Sequence, residues 1–255
     1  MSTSLLIPKV NTLNVYWLET KFEWLKTVRN PAFALPTLLF PTMFYLFFGV
    51  LLNQGNVPAS TYLLCTYATF GVMGPALFSF GAGLAVERSR GWLDVKEASP
   101  MPAFAQVVSR ILVSMLFSLI IVSVMMLIAV FVAGVNLSLD QGLLLLFVLI
   151  LGSLPFCLLG LVLGLSLKAE SAAAVVNAIY LPMSFLSGLW LPISMLPGFL
   201  QSFAQFLPSY HLAQLTLKVI GQDLGGAIVV HITALLIFSV AFLLLALKLY
   251  AKARS

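Results

Sequence analysis

Few residues in this chain have the types and spacing needed for chemistry, and most of them lie in one segment. That segment, ERSRGWLDVKEASPMP, spans Glu87–Pro102 and mixes acidic, basic and aromatic side chains. Trp92, Leu93 and Val95 give it a small apolar edge within a polar rim, which is typical of a surface that docks another protein. The alternative interpretation is a short solvated helix lying at the lipid headgroups.

Catalytic and metal-binding motifs are absent from the sequence. It contains no Gly-x-x-x-x-Gly-Lys-Ser/Thr and therefore no P-loop. It also lacks His-Glu-x-x-His and paired-cysteine metal motifs. Cys65 and Cys157 lie in separate apolar runs, where we interpret them as small buried hydrophobic residues. We therefore expect a protein that is not an enzyme and holds no metal or cofactor of its own.

The elements that must position the polar segment are membrane helices. Of the 255 residues, 61% are hydrophobic and 8% are charged, against roughly 25% charged in soluble domains. A membrane-spanning helix needs about 20 mostly apolar residues. Six segments qualify: 32–52, 62–86, 111–135, 142–167, 172–191 and 227–247.

The basic residues predict how these spans are oriented. Twelve of the thirteen fall before span one, in alternate loops or after span six, and Lys218 alone falls on the other side. Cytoplasmic loops carry the excess of lysine and arginine. We therefore expect both termini in the cytoplasm. The net charge of +5 is then explained by membrane topology, without nucleic acid as a partner.

The segment before span one has a helical pattern of its own. Val15, Leu18, Phe22 and Leu25 recur on one face, with polar residues on the other. Residues 10–29 are predicted to form an interfacial helix on the cytoplasmic leaflet. A soluble helix docked on the bundle is the alternative.

Ionisable groups are nearly missing from the predicted spans. All eight acidic residues lie outside the spans or at their ends, which argues against an ion-coupled transporter. His231 is the exception, either as a proton relay or bonded to a neighbouring carbonyl. Asn177 could contact cargo or bridge two helices, and Gly160 and Gly164 have the spacing of closely packed helices.

The stretch that follows span five is apolar but broken. Residues 184–216 hold no charge, yet Pro192, Pro197 and Pro208 interrupt them too often for one spanning helix. Irregular backbone at membrane depth is tolerated only where protein or a water-filled cavity covers it.

Three stretches together resemble a known family, the ABC-2 type permeases, which are the membrane subunits of type V ABC exporters. They are ERSRG with ASPMP, ETKFEWLKTVRNP leading into PTLLFPTMFYLFFG, and LPMSFLSGLWLPISMLPGFLQSFAQFLPSYHL. The resemblance implies an all-α membrane protein with six transmembrane helices in a single domain, 1–255. It also implies an N-terminal elbow helix (10–29), a cytoplasmic coupling helix in 87–102, and an extracellular re-entrant hairpin in 192–216.

The resemblance further implies roles and partners. Two copies of a separate ABC ATPase subunit, which holds ATP and magnesium, would work with a homodimer of this chain in the plasma (cell inner) membrane. The residues implied to couple to the ATPase are Glu87, Arg88, Gly91, Trp92, Leu93, Asp94, Lys96 and Glu97. Those implied to line the substrate pathway on spans two and five are Phe70, Phe78, Asn177, Tyr180, Phe185 and, near the outer gate, Gly188.

The uncharged, aromatic character of this pathway favours export of a drug-like or lipophilic molecule. Lipid-linked polysaccharide or glycolipid export by the same family is the close alternative. A stand-alone channel or secondary transporter is the rival from another class, and a non-transporting scaffold also remains open. A membrane-embedded enzyme is disfavoured because no convergent set of catalytic side chains lies at a plausible depth.

Overall fold

The computed structural model describes residues 12–99, 101–102 and 104–254, apart from the side chains of Asp94, Glu97, Ala253 and Arg254. Residues 10 and 11 of the predicted interfacial helix lie outside this range. The described residues form helices and turns and include no strand. This confirms the all-α prediction for the described part of the chain.

Six helical segments within the described residues are long and apolar enough to cross a membrane, as predicted. They are Pro31–Leu51, Val57–Ser89, Ala105–Phe131, Leu139–Ser166, Ala169–Leu186 and Ile228–Lys252. Their bounds differ from the predicted ones by one to six residues, and two of the differences flank the polar segment. The second helical segment continues beyond Val86, and the third begins before Ile111. Glu87, Arg88 and Arg110 therefore lie within helix ends and not in a connecting loop.

We number the α-helices in chain order. They are α1 (Thr12–Val28), α2 (Pro31–Phe44), α3 (Val57–Phe78), α4 (Leu84–Ser89), α5 (Trp92–Glu97), α6 (Ala105–Phe131), α7 (Leu139–Gly152), α8 (Leu154–Ser166), α9 (Ala169–Leu186), α10 (Gly198–Ala204), α11 (Pro208–Val219) and α12 (Ile228–Arg254). Segments with π-helical hydrogen bonding extend α2 over Tyr45–Leu51 and join α3 to α4 over Ser79–Gly83.

The centre of the bundle is α3, which is buried along most of its length. It packs against α2, α6, α8, α9 and α11. Gly160 and Gly164 of α8 allow the closest approach. A Cβ on Gly160 would lie 2.9 Å from the Ala76 carbonyl oxygen, and one on Gly164 would lie 2.2 Å from that of Phe80. The spacing of the two glycines therefore does bring two helices into close contact.

The chain reverses direction after α9. Gly188 has φ +75, and a Cβ there would lie 2.8 Å from the Cβ of Ile193, so glycine fits both the backbone and the space. A short 3₁₀ turn, α10 and α11 follow. Ile193, Leu196 and Ala204 are buried together beneath these short helices. The broken apolar stretch is thus a folded group of short helices.

Helix α1 turns its polar stripe towards the bundle. Thr20, Glu23 and Thr27 are its buried residues, and the helix packs mainly on α6. The large apolar side chains Leu13, Trp17 and Phe22 are exposed. This is the reverse of a soluble amphipathic helix, which buries its apolar face.

Candidate functional site

The first candidate site is an ionic cluster centred on Arg110, in the second turn of α6. Its side chain is 1% exposed. One Nη donates to the carbonyl oxygen of Ser79 at 2.7 Å, and the other donates to the carboxylate of Glu87. Its Nε lies 3.8 Å from Oε1 of Glu23 on α1. Arg110 therefore joins α1, α4 and α6.

Two lysines, one on α1 and one on α5, extend the cluster to α5. Lys26 of α1 contacts Glu23 and Glu87, each at 2.5 Å. Lys96 of α5 contacts Glu19 of α1, also at 2.5 Å. With Arg110, the cluster holds three basic and three acidic side chains. Its charges balance, and the buried arginine is itself compensated by Glu23 of α1 and Glu87 of α4.

These contacts offset the burial of the charge, because removing an ion from water is costly unless it is paired and hydrogen-bonded. Among the described residues, only the Nε of Arg110 has no hydrogen-bond partner within the guanidinium. Ser79 begins the π-helical turn between α3 and α4, and Arg110 takes its carbonyl as an acceptor. Such turns occur frequently at functional sites. Together these contacts hold α1, α4 and α5 to the bundle near its most basic end.

Arg88 and Gly91 also have positioning roles. The Arg88 guanidinium donates to the carbonyl oxygens of Leu165, at the end of α8, and Leu167, at 2.7 Å for the latter. It thereby satisfies carbonyls that a helix end leaves unpaired. Gly91 has φ +72 and allows the sharp turn from α4 into α5.

Helix α5 presents an exposed apolar pair. Trp92 is 54% and Val95 62% exposed, while Leu93 packs against the core. Lys96 is tied to α1 as described above. The side chains of Asp94 and Glu97 lie outside the described residues. Of the implied coupling residues whose side chains are described, Glu87 and Lys96 are ion-paired within the bundle, whereas Trp92 and Val95 of the same segment form an outward apolar pair.

The second candidate site is an aromatic cluster between α3 and α9. The rings of Phe70 and Tyr180 stack at 4.7 Å, and the Tyr180 hydroxyl donates to the Phe70 carbonyl oxygen at 2.9 Å. Phe78 and Trp190 pack edge-on, 6.0 Å from Tyr180 and 5.7 Å from Phe70 respectively. The structure therefore brings together three of the implied pathway residues.

The other three implied pathway residues are placed differently. Asn177 is exposed on α9, next to the small residues Ala173, Ala174 and Ala178. Phe185 is 39% exposed at the end of the same helix, and its ring borders the cluster by packing edge-on against Trp190 at 6.3 Å. Gly188 is buried in the chain reversal. Phe70 and Tyr180 are buried, so the exposed surface of α9 is formed by other residues: Glu170, Ser171, Ala173, Ala174, Asn177, Ala178, Pro182 and Phe185.

Three features of these sites were not predicted from the sequence. Arg110 was interpreted only as a basic residue of a cytoplasmic loop, and its ion pair with Glu87 on α4 was not predicted. Glu23 and Lys26 were assigned to the water-facing side of α1, but they face α4 and α6. Trp190 lies next to the predicted aromatics in the sequence and was overlooked. The contact between His211 and His231 was likewise not predicted.

The fold and these sites define a six-span helical membrane protein with the ionic cluster around Arg110 at one end. Comparison with known proteins makes the class more specific. Residues 14–221 match the family model described as ABC-2 type transporter. A relative named "Putative transport permease YvfS", from Bacillus subtilis (strain 168), is 31% identical over 207 residues, covering 78% of this chain and 82% of the relative. The chain belongs to the ABC-2 type transporter family.

A second relative matches a shorter part of the chain. "Nodulation protein J", from Sinorhizobium fredii (strain NBRC 101917 / NGR234), is 41% identical over 59 residues. That match covers 23% of this chain and 22% of the relative. The similarity over most of the chain agrees with the resemblance found in the sequence, and it makes this protein a transporter membrane subunit.

Proposed function

We propose that this chain is the permease subunit of an ATP-driven exporter and that a separate ABC ATPase subunit docks on α5. The observation that carries the proposal is the construction of α5. It exposes Trp92 and Val95, while Lys96 and the adjoining Glu87 tie it to α1 and α6. A surface with an apolar anchor on a firmly held helix can pass movement from a partner into the bundle.

The proposed orientation places this end in the cytoplasm of a cell whose inner membrane the chain spans. The distribution of lysine and arginine supports it. Helix α1 supports it as well, because its exposed Trp17 and Phe22 suit the lipid interface while its polar face is occupied by ion pairs. Helix α1 then acts as the elbow. The short helices after α9 form the re-entrant hairpin on the outside.

A homodimer with two ATPase subunits completes the proposed complex. The small-residue face of α9 around Asn177 supports it, since small side chains let membrane helices approach closely. From Ala173 to Phe185 the exposed surface of α9 carries no charge, which favours a lipophilic or drug-like cargo and hence drug efflux. The alternative cargo is a lipid-linked polysaccharide or glycolipid.

Cysteine labelling in oriented vesicles tests the docking surface. Single variants Trp92→Cys and Val95→Cys should react with a membrane-impermeant maleimide in inside-out vesicles only. Bound ATPase should protect both positions. Phe206→Cys is the matched control: this exposed aromatic lies in the hairpin, so it should label only in right-side-out vesicles and stay unprotected.

The native cysteines do not interfere with this experiment, because Cys65 and Cys157 are both buried. Labelling of Trp92→Cys from the outside would contradict the orientation. Labelling from the inside that bound ATPase leaves unchanged would contradict the docking surface alone.

Cross-linking tests the proposed dimer. Asn177→Cys should form a disulfide between two copies on oxidation in native membranes, because the α9 faces meet. Ile237→Cys is a control at an exposed position on α12, where only random collision can join two copies. Equal yields at both positions would contradict the dimer interface on α9.

A further inference from the structure

The only two histidines of the chain are in direct contact. His211 lies in the first turn of α11 and His231 in the first turn of α12, and their Nδ1 atoms are 3.0 Å apart. The ring centroids are 5.2 Å apart, and both side chains are buried. The contact joins the short-helix group to the last span, at the end of α12 opposite Lys248 and Lys252.

The hydrogen bonds around the pair define its tautomers. Nε2 of His211 lies 2.9 Å from the carbonyl oxygen of Gln205. A carbonyl can only accept, so this Nε2 carries the hydrogen. Neutral imidazole has one N–H, which leaves Nδ1 of His211 as an acceptor. Nδ1–H of His231 must then donate to it, and Nε2 of His231 carries a free lone pair.

That lone pair is the unusual feature. Among the described residues, Nε2 of His231 is buried and makes no hydrogen bond of standard geometry, although the backbone of Gly225 lies close to the ring. A buried polar atom without a partner is uncommon in native proteins and calls for an explanation. Here it is the one nitrogen of the pair that can take a proton without disturbing any existing hydrogen bond.

We propose that His211 and His231 form a proton-operated latch between α11 and α12. The latch accepts a first proton at Nε2 of His231 and opens when a second proton arrives. The first leaves the Nδ1–H···Nδ1 hydrogen bond intact. The second has only Nδ1 of His211 to occupy, and two N–H groups cannot face each other at 3.0 Å.

Two charged residues, Lys218 and Asp223, lie in the segment between the two histidines. Lys218 contacts Asp223 at 2.6 Å and the carbonyl oxygen of Gly226 at 2.7 Å. Lys218 and Asp223, one cationic and one anionic, are the charged groups outside the pair that interact with His231. Asp223 stays ionised, because the hydrogen bond from Lys218 lowers its carboxyl pKa.

Burial lowers the pKa of His211 below 6.5, although its hydrogen bond to Gln205 partly offsets this. The second proton therefore binds only at a lower pH than an ordinary histidine requires. The other titratable groups on the packed elements include Tyr210 of α11, Tyr62 and the buried Cys65 of α3, the buried Cys157 of α8, and Asp140 at the exposed start of α7. The two tyrosines stay neutral over this pH range.

The connection between the two helices can accommodate opening. Gly221, Gly225 and Gly226 have φ values of +70, +93 and +91, so this backbone visits conformations that favour glycine. The backbone N–H of Leu224 is held by the side chain of Gln214 at 2.9 Å. The loop thus stays attached to α11 while the start of α12 can reorient. In the orientation proposed above, the latch responds to the pH outside the cell.

Nitrogen NMR tests the latch directly, and it does not depend on any transport activity. Because the chain has two histidines, ¹⁵N-histidine labelling of the full chain in lipid nanodiscs gives four ring nitrogens. At pH 8 we expect opposite tautomers, with Nε2–H on one ring and Nδ1–H on the other. On acidification, His231 should titrate first, and the second step should follow at least about one pH unit lower.

Two results would overturn the proposal. One is the same tautomer on both rings at pH 8. The other is a single shared titration near pH 6.5. The variants His211→Gln and His231→Gln assign the signals, because each should leave one ring that titrates in one step.

A distance measurement then tests the opening itself. Spin labels on Ser202→Cys in α10 and Val229→Cys in α12 should give a narrow distance distribution at pH 8. Below the second step, the distribution should broaden and shift to longer distances. The same label pair with His231→Gln should lose this pH response. A distribution unaffected by pH in the otherwise native chain would overturn the latch.

Discussion

At the residue scale, the structure gives Arg110 and Glu87 a role different from a simple docking surface. An exposed Glu87 could be replaced with little effect on folding. Instead its carboxylate accepts hydrogen bonds from Arg110 of α6 and Lys26 of α1. A buried ion pair adds little net stability, but removing one partner leaves the other charge uncompensated. Glu87 therefore holds α4 and α5 in place, and the neighbouring Trp92 is free to contact a partner.

Arg110→Met should destabilise the protein strongly, because it leaves Glu23 and Glu87 without their buried cation. The expected loss is about 3–5 kcal/mol, or roughly 6–20 °C in Tm for a domain of this size. A thiol-reactive dye can report the melting, since Cys65 and Cys157 become accessible only on unfolding.

The control for this prediction is Arg90→Met, which removes an exposed arginine close by in the chain and should change Tm little. Adding Glu87→Gln to Arg110→Met should restore part of the lost stability, because fewer unpaired charges then remain buried. Equal Tm values for Arg90→Met and Arg110→Met would contradict the role assigned to the cluster.

At the element scale, the spans were predictable from hydropathy, but their ends near the polar segment were not. Apolar runs locate helices because backbone groups within lipid must bond to one another. Hydropathy does not predict that the helices continue through Glu87 and Arg110, because each charge is neutralised by a residue distant in the sequence. The helices can therefore continue past the apolar run. The burial of the polar face of α1 was not predicted for the same reason, because its partners lie on α4 and α6.

The sequence predicts that α8 makes a close helix contact, but it does not predict that the contact is with α3. The spacing of Gly160 and Gly164 indicates a close helix contact, yet the sequence does not say which helix is contacted. The structure shows that it is α3 and the π-helical turn that follows. The pairing of two histidines 20 residues apart was equally inaccessible, because it depends on how the short helices fold back on α12.

Gly164→Ala tests this contact. Alanine favours a helix by about 1 kcal/mol over glycine, but its Cβ would lie 2.2 Å from the carbonyl oxygen of Phe80, which is backbone and cannot move aside alone. We expect a net loss of about 1–3 kcal/mol from overpacking, seen as a lower Tm in the same dye assay.

Gly198→Ala is the matched control for the α8 contact. Among the described residues, no atom lies within 4 Å of a Cβ placed on Gly198, so this change should be neutral or stabilising. A Tm for Gly164→Ala at or above that of Gly198→Ala would contradict the close contact.

At the scale of the whole molecule, the structure joins a lipid-facing helical bundle to an ionic cluster at one end. The ionic cluster around Arg110 links α1, α4, α5 and α6. These are the helices that would contact a soluble partner in the proposed complex. The aromatic cluster between α3 and α9 is buried, so a pathway between two copies would be lined by the α9 face. The central claim is that an ATPase drives this bundle from the end that carries α5.

Purification of the chain from its native membrane in mild detergent tests that claim most directly. The account predicts that an ABC ATPase subunit co-purifies and that the complex shows vanadate-sensitive ATP hydrolysis. Trp92→Ala together with Val95→Ala should lose the subunit, whereas Phe206→Ala should retain it. A chain that purifies alone under several mild conditions, without associated ATP hydrolysis, would contradict the account and favour a stand-alone channel or carrier.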